Sequence, residues 1–209
     1  MFSPYIRDLW KQAWPNILTQ VFQISLSFVN MIFVAKINLV AVSAVSLSFI
    51  IISTISIFAI AVSGSSGAYV AQSKGGKNLL QKNEPLVDPS AQIRMVTTQG
   101  FVLVIILGLL SGLACICFAP QMLSILGANE KTIMEASGYL KIVGGCSIFA
   151  VLMQFAGQIL KSVQYSEALF QAGWRMFLIH IPLAYLLIFT FHLDVKGAAW
   201  ATVLSTAFG

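Results

Sequence analysis

A polytopic bundle of membrane-spanning α-helices is the all-α fold class this sequence predicts, and three observations predict it. First, charge is confined to narrow stretches. Uncharged runs of 24, 37, 35, 19 and 18 residues separate Lys11 from Lys36, Lys36 from Lys74, Arg94 from Glu130, Lys141 from Lys161 and Arg175 from Asp194. A spanning helix needs about 20 mostly apolar residues, because the hydrocarbon core is about 30 Å thick and each residue rises about 1.5 Å. Second, the chain is 58% hydrophobic and only 9% charged, whereas soluble domains carry about 25% charged residues; a soluble fold of this size lacks the buried positions. Third, the runs are continuously apolar. A membrane β-barrel would instead show alternating segments of roughly ten residues.

The spans follow in order as 14–35, 39–72, 95–118, 139–160, 174–191 and an incomplete 197–209, within a single membrane domain over 1–209. Pro15 falls in the first turn of the first span, where a missing N–H is tolerated. The 37-residue window after Lys36 is too short for two spans and a turn, so it predicts one long or tilted helix. Its run Ser63-Gly64-Ser65-Ser66-Gly67 lets another backbone come close. Gly-Gly and two prolines mark a loop over 73–91. The third span carries Gly108 and Gly112 in GxxxG spacing and closes at Pro120. Asn129 caps a short surface helix over 130–136. The last span stops at Gly209 inside an apolar helix, where terminal carbonyls are costly at membrane depth.

Net charge is +5 with a pI of about 9.2. The basic residues decorate loops rather than form a patch with interleaved aromatics, so no nucleic-acid partner is expected. With sides numbered alternately, the N-terminal side holds Arg7, Lys11, Lys74, Lys77, Lys82, Arg94, Lys161 and Arg175. The other side holds Lys36, Lys131, Lys141 and Lys196. The positive-inside rule then places the N-terminus in the cytoplasm of a multi-pass inner (plasma) membrane protein. The apolar run after Lys11 is longer than the core of a signal peptide and reads as a span. Cys115 and Cys117 point about 200° apart on a helix. They and Cys146 read as small apolar filler.

Polar groups inside spans are the candidate functional residues, since each costs free energy unless paired. Gln20, Gln23, Ser27 and Asn30 form a stripe on one face of the first span, read either as a cavity wall or as interhelical hydrogen bonding. The fifth span carries His180, an imidazole able to titrate near neutral pH, and Pro182, a kink residue. No span interior holds a carboxylate. No phosphate-binding glycine loop, metal-spaced cluster or catalytic triad is present, so an enzyme is not expected.

Leu9-Trp10-Lys11-Gln12-Ala13-Trp14-Pro15-Asn16-Ile17-Leu18 resembles the opening of the multidrug and toxic compound extrusion (MATE) transporters. Phe28 to Ala35 resembles the end of that family's first helix, and Ala41 to Ser48 the start of its second. Val70-Ala71-Gln72-Ser73-Lys74-Gly75-Gly76-Lys77-Asn78 is similar to its "V-A-Q-x-x-G-A-G-N" stretch. Leu126-Gly127-Ala128 and Tyr139-Leu140 fit the approach to its fourth helix. Gly197-Ala198-Ala199-Trp200-Ala201-Thr202 fits its "G-A-A-x-A-T". The order of these matches covers nearly the whole chain.

The resemblance implies the first six-helix lobe of a twelve-helix exporter, with the sixth helix truncated. It implies an alternating-access antiporter of organic cations or drugs, driven by H⁺ or Na⁺, with no other cofactor. The lipid bilayer and a second lobe, or a second copy in a homodimer, are the expected partners. The family's coupling carboxylate on the first helix falls on Asn30, an amide that cannot titrate. Its "N-I-x-L-D/N" pattern falls on His180-Ile181-Pro182-Leu183-Ala184. Thr202, at the cation site in some members, and Pro15, the hinge proline of the first helix, are retained. Amide, imidazole and hydroxyl supply no fixed negative charge for Na⁺, which leaves protonation of His180 as the coupling route. Two alternatives stay open: a lipid-linked oligosaccharide flippase of the same superfamily, and a non-transporting decayed or assembly protein.

Overall fold

In the computed structural model, residues 4–75 and 89–208 are described. They form α1 (Pro4–Ala35), α2 (Leu39–Gly75), α3 (Pro89–Ile125), α4 (Glu130–Gly145), α5 (Ser147–Ser162), α6 (Ser166–Tyr185) and α7 (Asp194–Phe208), with a π-helical turn, Leu186–Thr190, extending α6. Among the described residues, four helices are long and apolar enough to cross a membrane, and the bent α4–α5 pair makes a fifth crossing if it acts as one span. Most of the expected 73–91 loop lies outside the described residues.

The helices sort into two packed groups. α2 and α3 pack on each other and on α4 and α5, while α1 lies along α6 and α7 bridges α6 to α4. Their outer faces are lined with exposed Leu109, Leu110, Leu113 and Ile116 on α3 and Phe49, Ile57 and Phe58 on α2. Contiguous apolar surface of this kind needs lipid or a partner to cover it.

α2 is one unbroken helix although it is rich in hydroxyls. Those hydroxyls bond back to their own helix: Ser43 donates to Leu39 O, Ser48 to Ala44 O, Thr54 to Ile50 O, Ser56 to Ile52 O and Ser63 to Ala59 O. Each polar group is thereby satisfied without water.

Glycines set the closest crossings. A Cβ on Gly112 would sit 2.9 Å from the Gly145 carbonyl oxygen, and one on Gly108 would sit 2.9 Å from Val151 Cγ2. The GxxxG pair of α3 thus faces the α4–α5 junction. Ser147 holds that junction to α3, its hydroxyl donating to Gly108 O at 3.3 Å and lying 3.0 Å from Ser111 Oγ.

Several helix bounds differ from the sequence reading. α1 begins at Pro4, so Pro15 lies inside the helix rather than in its first turn. α3 runs through Pro120 to Ile125, because Ala119 and Leu123 on either side are fully buried and their packing outweighs the lost backbone bond. The expected surface helix over 130–136 and the span from 139 are one helix, α4, which Asn129 caps by accepting from the Thr132 N–H. α4 breaks after Gly144-Gly145 and resumes as α5 at 46°. Arg175, expected at a span edge, is exposed ten residues into α6. Cys115 is buried and Cys117 exposed, as opposite helix faces require, and all three cysteines are free thiols.

Candidate functional site

Asn30, His180 and Thr202 come from α1, α6 and α7, and Tyr139 of α4 stands between Asn30 and Thr202. Tyr139 is 5% exposed, and its hydroxyl faces the side chains of Asn30 and Thr202. Its ring packs in a core of Val34, Ala184, Ile188, Val195, Ala198 and Ala201. A phenol suits this place, with an apolar body for the core and a polar tip for the cluster.

Thr202 donates to Ala198 O at 2.9 Å. One turn on, the Ser205 hydroxyl donates to Thr202 O at 3.0 Å and lies 3.0 Å from Nδ1 of His180. With the single Ser205 proton on the Thr202 carbonyl, Nδ1 of His180 carries the hydrogen and donates to Ser205 Oγ. Nε2 is then the open nitrogen. It is buried without a hydrogen-bond partner, and the Ala201 carbonyl stands beside the ring. Asn30 Oδ1 is likewise buried and without a partner.

The site is therefore a chain of neutral polar groups, Asn30–Tyr139–Thr202–Ser205–His180, set in apolar packing. Its one unpartnered basic atom is Nε2 of His180. The site offers no fixed anion for a metal ion, and among the described residues no three His, Cys, Asp or Glu gather to hold one.

The structure adds three residues that sequence reasoning missed. Tyr139 falls at the first position of the expected fourth span, where its hydroxyl has no visible partner. Ser205 is one of several hydroxyls near the chain end, and only its distance of three from Thr202 hints at a shared face. Glu135 belonged to the presumed surface helix; on the continuous α4 it lies one turn before Tyr139, half-buried, with Oε2 lacking a hydrogen-bond partner. A carboxylate therefore stands on the helix that carries Tyr139, four residues before it.

Pro15 stands apart from this cluster. Its neighbours are the Thr19 hydroxyl, which donates to Pro15 O at 2.8 Å, and a cavity between α1 and the start of α6. Gln20, Gln23 and Ser27 lie exposed on α1, so only the Asn30 end of the polar stripe turns inward.

Apolar helices closed around a polar centre define a polytopic membrane protein of transporter architecture. The chain belongs to the MatE family, whose model matches residues 15–186. It is 30% identical over 145 residues to the multidrug export protein MepA of Staphylococcus haemolyticus, covering 68% of this chain and 29% of that protein. Among solved structures it is similar in fold to a MATE protein in the bent conformation, with TM-score 0.84, 18% identity, 96% of this chain and 42% of that one. The Vibrio cholerae MATE transporter VcmN in the bent form gives TM-score 0.81, 16% identity and coverage of 96% and 43%. A MOP superfamily transporter from Pyrococcus furiosus gives 0.76, 19%, 95% and 42%. The chain thus spans less than half the length of these relatives.

Proposed function

We propose that this chain works as the N-terminal lobe of a secondary exporter of small organic cations or drugs, coupled to H⁺ through His180. The observation that carries the reading is the inward-facing polar cluster of Asn30, Tyr139, Thr202, Ser205 and His180, tied from α6 to α7 by the 3.0 Å contact of His180 Nδ1 with Ser205 Oγ and set where α1, α4, α6 and α7 meet. Protons suit this chain better than Na⁺: a hard cation favours charged oxygen ligands, and the five linked groups carry none. Loading Nε2 would add a positive charge and a new donor beside the Ala201 carbonyl and strengthen the Nδ1–H bond to Ser205, changing how tightly α6 holds α7. That gives α1, α4, α6 and α7 a reason to repack between two states.

Alternating access requires a second repeat to rock against, supplied by a second lobe or a second copy of this chain. The uncharged open face of α1, with Gln20, Gln23 and Ser27, would line the cavity between them. A flippase for lipid-linked oligosaccharides would be expected to carry cationic residues there, which favours the drug exporter. The membrane is a plasma membrane, with the N-terminus on the cytoplasmic side by the charge count. The test is dye efflux by the protein in its own membrane across an imposed pH gradient. Efflux that depends on the gradient, and loses that dependence in His180→Ala, is expected; pH dependence unchanged in the variant would sink the assignment.

A further inference from the structure

A second feature lies at the opposite end of α1 from Asn30 and shares no residue with the network. A cavity of about 390 Å³ opens between the Lys11–Pro15 stretch of α1 and the start of α6, lined by Lys11, Trp14, Tyr165, Ser166, Glu167 and Phe170 among others. Its walls are tied in place. Asn16 Nδ2 donates to Ser166 Oγ at 3.2 Å across the two helices, and Ser166 is 6% exposed. Phe170 packs on Phe22 with ring centroids 5.9 Å apart. Lys74 Nζ donates to Val163 O at 2.6 Å, anchoring the turn that leads into α6.

Two properties of this cavity point to a ligand. It lies where the apolar windows of α1 and α6 begin, at Ala13 and Ser166, beside exposed Trp10, Trp14 and Tyr165, the arrangement expected at the headgroup level of a bilayer. Amphipathic aromatics and lysines gather at that level of a bilayer. Its charge is split: Lys11 and Glu167 line one space, both exposed, and among the described residues neither makes an ion pair. A cation and an anion held apart over aromatic walls match a zwitterion, with phosphate to the lysine and ammonium to the carboxylate and ring faces.

We propose that this cavity is a binding site for the phosphoethanolamine headgroup of a membrane lipid. Lys11 takes the phosphate, and Glu167 with Trp14 and Tyr165 takes the primary ammonium, whose hydrogens Glu167 can accept. An anionic glycerol headgroup satisfies Lys11 alone and meets Glu167 as a like charge. A choline headgroup carries no N–H for Glu167. The proposal does not depend on the transport reading, because it is tested by binding alone.

The test is native mass spectrometry of the purified protein in detergent with added phosphatidylethanolamine, phosphatidylglycerol or phosphatidylcholine. Phosphatidylethanolamine should bind tightest. Lys11→Gln should weaken both it and phosphatidylglycerol, by about threefold for an exposed charge pair. Glu167→Gln should erase the preference for phosphatidylethanolamine over phosphatidylglycerol while leaving the latter bound. Both positions are exposed, so melting without lipid should match wild type and serves as the folding control. Equal binding of all three lipids, or variants that bind as wild type does, would overturn the proposal. So would tetraphenylphosphonium binding that needs Glu167 but not Lys11, which would make the cavity an organic-cation site.

Discussion

Gly144→Ala is the sharpest test of how the helices are held together. A Cβ at Gly144 would lie 2.5 Å from Cys115 Cβ and 2.6 Å from its Sγ. Carbon atoms in contact sit about 3.5–4.0 Å apart, so α3 and α4 would have to part by about 1 Å. Neither obstacle can swing away: Cβ is fixed to the backbone, and Cys115 is 1% exposed in a core with Leu123, Ala136 and Leu140. Overpacking of this kind costs about 1–3 kcal/mol. For a chain of this size that lowers the melting temperature by about 3–10 °C. Cys115→Gly removes both obstacles and should recover part of the loss in the double variant, less about 1 kcal/mol for a second helical glycine. Gly64→Ala is the control of opposite sign. A Cβ there meets nothing within 4 Å, so the helix gains about 0.5–1 kcal/mol. Differential scanning fluorimetry in detergent reads all four proteins. Gly144→Ala melting within about 1 °C of wild type, or no recovery with Cys115→Gly, would refute the packing argument.

Three further expectations concern the network and the hinge. Tyr139→Phe keeps the core packing and removes the hydroxyl between Asn30 and Thr202; efflux should fall severalfold while the melting temperature moves by about 1 kcal/mol equivalent or less. Ser205→Ala takes the partner of His180 Nδ1 from a site where Ser205 is fully buried. It should cost about 1–3 kcal/mol in stability, and a melt equal to wild type would contradict the bond. Pro15→Ala restores an N–H able to reach the Lys11 carbonyl, so α1 should melt higher; if Pro15 is a hinge, efflux should fall at the same time, and undiminished efflux would remove that role.

The helical membrane fold is legible because burial in lipid is written in charge spacing, which needs no tertiary information. The single long α2 followed from the same arithmetic. Pro15 and Pro120 were misplaced because proline reads locally as a boundary, whereas packing on both sides carries the helix through. The α4–α5 break was marked only by Gly144-Gly145, a pair that equally suits close packing, and in the structure the pair does both. Asn30, Thr202 and His180 could be named one by one. Their connection through Tyr139 and Ser205 could not, because it depends on which faces of α1, α4, α6 and α7 meet. Glu135 falls in the expected surface helix over 130–136, and only the continuity of α4 places it one turn before Tyr139.

The most direct test of the central claim is efflux of a cationic dye by the protein in its own membrane, wild type against His180→Ala, across an imposed pH gradient. The account predicts gradient-driven efflux in the wild type, and in the variant a protein that still inserts and folds but no longer responds to pH. Efflux of equal pH dependence in both, or none in the wild type, would contradict it.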